Sequence, residues 1–379
     1  MTEEEKNIDI ESDPISTIEV IKNIKEIKNA DMIEIAIVLG WECIIRKGSF
    51  SIGDKIIFIR PDAILNIDIV KKYNIDYLKK NFRVRTVKLR GVYSQGLILP
   101  ADEYLNFEVG HGMDKILNVY KYEPKDNENI LITNTNASKS KRTVSKIFDD
   151  FDVYTKIKNI NNYPNIFNDP EEEIVVTEKI HGTNFRAGNL KYKVRYKIFG
   201  KLIDSILSIL KINTSPVFGS HRVTFKNDKQ KAYYSKNVYA EIFKRYNLDK
   251  IIPKGYVFYG EIYGSNIQKN YEYGLSNGEI DVVFFDIKHN NEYLPWDEFT
   301  KIINSLNLKH VPVIFKGKRK DIDFEKACVG KSILDPNTKV REGCVVKSII
   351  ETRDNTLGRR ILKVINKKYL ENKNNTEYH

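Results

Sequence analysis

Short β-branched apolar runs, each closed by glycine, recur through this chain and constrain its fold more than any other feature. Between Ile15 and about Leu117, "IEIAIVLGWECIIRKGSF" is apolar and β-branched around Gly40, and "GDKIIFI" is a turn entering a strand. "FRVRTVKLRGVYSQGLILP" continues the theme and stops at Pro100. β-branched side chains favour an extended chain, and glycine turns at this spacing join short strands. A small β-barrel or sandwich is expected here. Arg83 and Arg85, then Lys88 and Arg90, place cations on both faces of a strand. A buried barrel face could not hold them, so at least one set lies on an edge or strand end, as a solvated face or a phosphate-tracking groove.

From about Tyr120 to Asp169 the chain is rich in Asn, Lys, Asp and Ser, and "TNTNASKSKRT" is the most linker-like piece. One short helix is expected near Val144 to Phe151. From Glu171 onward strands and helices mix. "KIFGKLIDSILSILKI" carries Phe199, Leu202, Ile203, Ile206 and Leu210 at helical spacing, as a helix packed on its own domain would. "GYVFYGEIYG", "IDVVFFDIK", "REGCVVKSII" and "GRRILKVI" are short strand-like runs. A chain of 379 residues accommodates two domains. The polar ends, 1–14 and 372–379, are expected to be disordered.

Lys and Arg number 62 against 51 Asp and Glu, a net charge of +11 that suits a polyanionic partner. No apolar run approaches the roughly 20 residues that span a bilayer, and "MTEEEKNIDIESD" is unlike a signal peptide. Cys43, Cys328 and Cys344 are widely spaced and odd in number, which argues for free thiols in a reducing, cytoplasmic compartment. "VGKS" at 329–332 lacks the upstream glycine of a phosphate-binding loop, where Glu325 stands. Neither GxGxxG nor HExxH occurs, and no histidines fall in ligand-spaced pairs.

What remains is a set of charges on strand-like segments. "VVTEKIHGTNF" holds Lys179 where a strand ends, beside Glu178 and His181, with Gly182 free to turn sharply. Glu261, Glu342, Lys347 and Lys363 lie in similar contexts, the carboxylates next to Gly260 and Gly343, where backbone can approach a ligand closely. Each alone reads as an exposed salt bridge. Together, "EKIHGTN" resembles the lysine-nucleophile motif of covalent nucleotidyltransferases, in the version of the RNA ligase 2-like branch that includes the kinetoplastid editing ligases. "GSHR", "FYGEIYG", "VVFFDIK", "REGCVVK" and "LKVINKKYL" resemble its later motifs, in the family's order, over roughly residues 171 to 371. The N-terminal half is similar to the OB domain that precedes the transferase domain in RNA ligases of the Naegleria/Deinococcus type.

The resemblance implies an α+β protein. An OB-type β-barrel (15–120) is followed by a linker with a short helix (121–170). A mixed α/β nucleotidyltransferase domain of antiparallel sheets and helices, ATP-grasp-like, then covers 171–371. It also implies an ATP-dependent RNA ligase that joins 3′-hydroxyl and 5′-phosphate ends through lysyl-AMP and RNA-adenylate, at nicks in duplex RNA, as a monomer using Mg²⁺ or Mn²⁺. By the same analogy Lys179 is the nucleophile, and Lys363 and Lys347 hold the α-phosphate. Glu261 binds the ribose, Glu342 supports the metal or its water shell, and Glu178 reads the adenine amine beside Ile180. Phe285 covers the base, with Phe284 as rival, while Asn184 and Arg222 serve ribose or phosphate. Arg83, Arg85, Lys88 and Arg90 contact nucleic acid. His181 replaces the usual aspartate. Val364 and Ile365 follow Lys363 where a second lysine is common, leaving Lys367 to substitute. A capping guanylyltransferase or a DNA ligase shares this chemistry, and a non-catalytic OB-type RNA-binding protein is the alternative from another class.

Overall fold

The β-branched runs become strands, and the strands fall into two units with separate sheets. The computed structural model describes residues 13–75, 78, 81–122, 145–148, 150–195, 214–225, 230, 232, 234, 236–335, 337, 340–372 and 375–376. Among these, one unit gathers 13–122 with Ile160–Pro164 and the stretch from Lys367, and the other holds the rest. The expected helix over 197–212 and the ends 1–12 and 377–379 lie outside the described residues.

The first unit is framed by β1 (Ser16–Glu26), β2 (Ile33–Val38), β3 (Trp41–Arg46), β4 (Lys55–Ile59) and β5 (Leu97–Pro100), an antiparallel five-stranded sheet ordered β3-β2-β1-β4-β5. β1 is long enough to pair twice. Ser16–Val20 faces β4, the stretch from Ile21 faces β2, and the register shifts between Ile21 and Asn23. Such a bulge bends a strand and sharpens its twist, so the sheet curls. Gln95 N donates to Glu42 O at 2.7 Å and Ile44 N to Ser94 Oγ at 2.9 Å, returning the segment before β5 to β3. The curl leaves β4 covered on both faces. Ile56 and Phe58 pack with Trp41 and Val38, while Ile57 and Ile59 pack with Ile18, Leu99 and Leu117. Burial on both faces is why the sequence reads there as an unbroken apolar run.

Residues far along the chain complete this unit. Gly40 N donates to Asn161 O at 2.8 Å, and Trp41 Nε1 donates to Asn162 Oδ1 at 2.8 Å. Gly40 must be glycine, since an added Cβ would stand 2.9 Å from Asn161 Cα. Tyr369, Leu370 and Thr376 are buried. Within the linker expected at 121–170, Ile160–Pro164 is a packed part of the first unit, and within the tail expected at 372–379 Thr376 is buried; residues 123–144, 149, 373–374 and 377–379 lie outside the described residues. The short helix expected at Val144–Phe151 is corrected. Ser145–Ile147 is a strand, drawn into antiparallel pairing with Lys193–Arg195.

The second unit carries two large sheets beside two-stranded ribbons. β6 (Glu173–Lys179), β11 (Val313–Lys318), β12 (Gly343–Ser348) and β13 (Ile361–Ile365) join Lys158–Asn159 in the order Lys158–Asn159, β13, β12, β6, β11, with only the first pair parallel. β7 (Thr183–Lys191), β8 (Thr214–Ser220), β9 (Tyr256–Gly264) and β10 (Ile280–His289) form the centre of a six-stranded antiparallel sheet ordered Thr224–Phe225, β8, β7, β9, β10, Glu292–Tyr293. Two amphipathic helices pack on these sheets, α1 (Val238–Arg245) and α2 (Trp296–Ser305). Asn237 caps α1 by accepting from Ala240 N, and α2 buries Trp296, Phe299 and Ile303. With few helices beside antiparallel sheets, the molecule is α+β.

Arg83 shows how charge is handled in the first unit. It is 5% exposed, its Nε donates to Asp62 Oδ1 at 2.8 Å, its Nη2 donates to Asn375 O at 2.9 Å, and its guanidinium lies 3.8 Å from the centre of the Tyr122 ring. Arg83→Met would strand Asp62 without its cation. Breaking such a buried pair costs about 3–5 kcal/mol, so urea denaturation followed by Trp41 fluorescence should show a large fall in midpoint. A fall equivalent to less than about 1 kcal/mol, the range of an exposed pair, would mean the pair is not holding the unit together.

Candidate active site

β6 belongs to one sheet and β7 to the other, so the turn between them carries the chain across. Lys179 is the last residue of β6, at the lip of that crossing. Three contacts pin the turn. Tyr273 Oη accepts from His181 N at 2.7 Å, Gln268 Nε2 donates to Gly182 O at 2.9 Å, and the Tyr271 ring stands edge-on to His181 at 4.9 Å. Gly182 is demanded by proximity. A Cβ there would lie 2.2 Å from Ile262 O and 2.9 Å from Glu261 Cγ. Gly343 is explained the same way, since its Cβ would meet Val364 O at 2.1 Å. Both glycines admit neighbouring backbone, whereas the sequence suggested close approach of a ligand.

Register decides which charges share a face. Lys179 pairs with Gly343, Thr177 with Val345, Val345 with Lys363, and Val175 with Lys347. Directly paired residues, and residues two apart, point to one face of a sheet. Lys179, Lys363 and Lys347 therefore project from the same face. On the other sheet Asn184 pairs with Glu261 and shares its face.

Glu342 precedes β12 and is fully buried. Lys179 Nζ donates to its Oε1 at 2.7 Å, and His181 Nδ1 stands 3.4 Å from its Oε2. Burial pushes this carboxyl up, but Lys179 and His181 outweigh it and hold the group down to about 2. Glu261 goes the other way. Burial of its carboxyl, helped by the charge of Glu342 and opposed by Lys179 and the Gly182 N–H, pushes it up to about 8. Two acidic groups in one site are thus driven to opposite charge states, a common sign of division of labour.

The other expected site residues divide. Lys363 is buried on the face of Lys179. Glu178 is turned to the opposite face by strand alternation. Its Oε2 accepts from Ile333 N at 2.7 Å, and burial, opposed by Ser332, Ile333 N–H and Arg341, pushes its carboxyl up. Ile180 is buried. Lys347 is not gathered with Lys179. Its Nζ lies 3.2 Å from Asp286 Oδ1, inside a buried cluster where Asp286 Oδ2 also accepts from Tyr154 Oη at 2.8 Å and Arg359 Nη2 at 2.7 Å. Arg222 sits in the turn between β8 and Thr224–Phe225, and its charge, after burial, lowers the pKa of His221. Lys367 pairs with Glu42 at 3.1 Å within the first unit.

Phe284 and Phe285 separate cleanly. Phe284 is fully buried beside Phe258 and Phe185. A bulge pairs Tyr259 with Asp286 and Gly260 with Phe284, leaving Phe285 as the extra residue, partly exposed with the Tyr154 ring edge-on at 4.7 Å. Sequence reasoning did not single out Asp286 and Arg359. A carboxylate inside the apolar run "VVFFDIK" was the signal that could have found the first.

The nucleic-acid assignments in the first unit divide too. Arg83 is corrected to a structural residue, because its guanidinium is spent on Asp62. Arg85 is half-buried, and burial and then Arg83 lower its pKa. Lys88 and Arg90 are exposed on the hairpin Val87–Leu89/Val92–Ser94, Lys88 lying 4.9 Å over the Tyr93 ring.

Among the described residues no group of three or more His, Cys, Asp or Glu side chains is arranged to hold a metal. Glu178 Oε1, Asn184 Oδ1 and Glu342 Oε2 are buried acceptors to which no described group donates a well-formed hydrogen bond. Such atoms are costly unless a ligand completes them.

The family model described as RNA ligase matches residues 172–365, and an OB-fold domain family matches residues 15–101. No curated protein sequence gives a significant match. Solved structures with this fold include a mutant Naegleria gruberi RNA ligase with ATP and Mn, 23% identical, covering 95% of this chain and 100% of that one at a TM-score of 0.70. A second mutant with ATP and Mn is 24% identical over 94% of this chain and 98% of that one, TM-score 0.69. A third, with AMP and Mn, is 23% identical over 94% and 98%, TM-score 0.68.

The opposite shifts generate a test. Glu261 has a raised folded pKa, so the folded state resists its ionisation and this group lowers stability as pH climbs from about 4.5 through about 8. Glu342 has a depressed one, so it adds stability above about 4.5 that is lost as pH falls towards about 2. Glu261→Gln should therefore leave Tm nearly unchanged near pH 5 and raise it at pH 9, by roughly 2–4 °C for each kcal/mol relieved. A Tm difference independent of pH would show that Glu261 ionises freely.

Proposed function

The chain belongs to the RNA ligase family, and from that premise we propose that it seals nicks in duplex RNA, joining a 3′-hydroxyl to a 5′-phosphate at the expense of ATP, as an intracellular monomer. The observation that carries the reading is the Lys179–Glu342 contact at 2.7 Å. It fixes a single amine at the end of a strand, with Lys363 on the same face. The neighbours named above, crystallised with ATP or AMP and Mn, support the choice of nucleotide and of a divalent ion.

In the first step Lys179 Nζ attacks the α-phosphorus of ATP. A nitrogen–phosphorus bond forms, the bond to the bridging oxygen breaks, and pyrophosphate leaves with the electron pair. Attack requires the neutral amine, which keeps two N–H groups, so one can still donate to Glu342 Oε1 while the lone pair faces phosphorus and the surplus proton leaves to solvent as the bond forms. Lys363 is placed to hold the non-bridging oxygens as charge builds. The orphan acceptors fit the nucleotide. Asn184 Oδ1, on the face of Glu261, suits a ribose hydroxyl, and Glu178 Oε1 suits a donor such as an amine. Glu261, protonated below about pH 8, can both donate to and accept from a hydroxyl. Mg²⁺ or Mn²⁺ needs few protein ligands, since such ions keep waters and take phosphate oxygens. Glu342 Oε2 is the acceptor that would support the ion, which would supply charge neutralisation on the triphosphate. AMP then passes to the RNA 5′-phosphate, and the 3′-hydroxyl displaces it.

Lys179→Ala should abolish acid-stable labelling of the protein by α-labelled ATP while retaining measurable sealing of RNA that is already 5′-adenylylated, because the last step consumes no lysine. Undiminished labelling would remove Lys179 from the role. The 3′ strand should be inspected more closely than the 5′ strand, since a terminal ribose favours A-form geometry and offers a 2′-hydroxyl that DNA lacks. Nicks with a few 3′-terminal ribonucleotides should seal well even when the 5′-phosphate strand is DNA, and all-DNA nicks should be slower by orders of magnitude. Equal rates on both would favour a DNA ligase.

A further inference from the structure

At the far end of the six-stranded sheet lies a cleft of about 500 Å³ that the chemistry above does not use. Its walls include Lys191, Lys254 and Lys288, the side-chain amides of Asn290 and Asn291, and the carboxylate of Asp150. The cations are not equivalent. Lys288 is buried and bound to Asp152 at 2.5 Å, so its charge is already answered. Lys191 and Lys254 are exposed, and neither makes an ion pair among the described residues.

The backbone holds these donors in place. Gly255 N donates to Asn189 O at 2.7 Å, which ties the base of Lys254 to β7. Asn290 and Asn291 have φ of 49° and 68°, the two left-handed residues of a tight hairpin turn, and asparagine tolerates that conformation better than most residues. Among the described residues no aromatic ring lines the cleft, and its polar donors are not accompanied there by a stacking surface for a base. Ammonium and amide donors without a stacking surface suit the sugar-phosphate backbone, which carries charge and no sequence.

Position adds to the chemistry. Lys191, in the cleft wall, stands seven residues beyond Asn184 on β7, and Asn184 is the strand partner of Glu261. At 3.3–3.4 Å per residue the two strand positions lie roughly 23 Å apart, about seven nucleotides along a duplex axis at roughly 3.4 Å per step. We propose that this cleft is a second nucleic-acid contact, seating a backbone phosphate of the substrate about seven nucleotides from the nick and so fixing the angle at which the duplex leaves the active site. The proposal rests on the ligase reading.

The test is the double variant Lys191→Ala/Lys254→Ala. Both side chains are exposed, so Tm and self-adenylylation with ATP should match the parent. Binding of a nicked duplex, read by fluorescence anisotropy at about 0.1 M salt, should weaken roughly tenfold, and the slope of log K against log salt should become shallower by about 1. A neutral methylphosphonate walked along each strand should weaken the parent at one position about six to eight nucleotides from the nick and leave the variant indifferent there. Unchanged affinity and salt slope would overturn the proposal. So would a variant that loses self-adenylylation, since the lysines would then act on the catalytic centre. Because binding is measured directly, failure of the unmodified protein to seal any nick would count against the ligase reading while the binding result still decides the role of this cleft.

Discussion

A carboxylate with no exposure to water is tolerable only against a cation, and Glu342 meets that condition through Lys179 and His181. Much else serves this pairing. β6 and β12 must be neighbours in a register that sets Lys179 across from Gly343, and that register in turn sets Lys363 on the same face. Gly343 and Gly182 must lack side chains so that β13 and β9 close in on either side. The pair is a tension as well as a support. The contact that supports the carboxylate also orients the amine proposed above as the nucleophile, so stability and the proposed chemistry draw on one hydrogen bond.

A second buried charge, Asp286, follows the same rule with a different outcome. It is surrounded by Lys347, Arg359 and Tyr154. Burial alone would keep it neutral, but Arg359 and Lys347 hold it ionised. Lys347, expected at the phosphate, is the cation of that cluster. It lies over the Trp296 and Phe299 rings of α2 at 5.3 and 5.6 Å. The bulge that admits Asp286 also brings out Phe285, so one irregularity in β10 both anchors a lysine and presents an aromatic ring.

Much of this was legible in the sequence because it is written in local pattern. Unbroken β-branched runs became strands buried on both faces, and Lys179, Glu261, Glu342 and Lys363 stood in motifs whose order is itself informative. What escaped depended on partners distant in the chain. Arg83 alternates with Arg85 like a surface cation, and only Asp62 and Tyr122 reveal it as buried. Choosing between Phe284 and Phe285 required a bulge that alternation cannot show. Ser145–Ile147 has no strong signature of its own and takes its conformation from Lys193–Arg195. Lys367, which the family resemblance offered as a substitute for a second lysine in the last motif, is paired with Glu42.

The first unit is assembled from stretches that synthesis delivers at very different times. Trp41 hydrogen-bonds Asn162, and Arg83 reaches the carbonyl of Asn375. A ribosome would release the barrel strands long before the residues that finish their packing. The hydrogen bonds that close this unit on Asn162 and Asn375 can therefore form only once nearly the whole of the described chain has emerged, which makes the completion of an early segment a late event in folding.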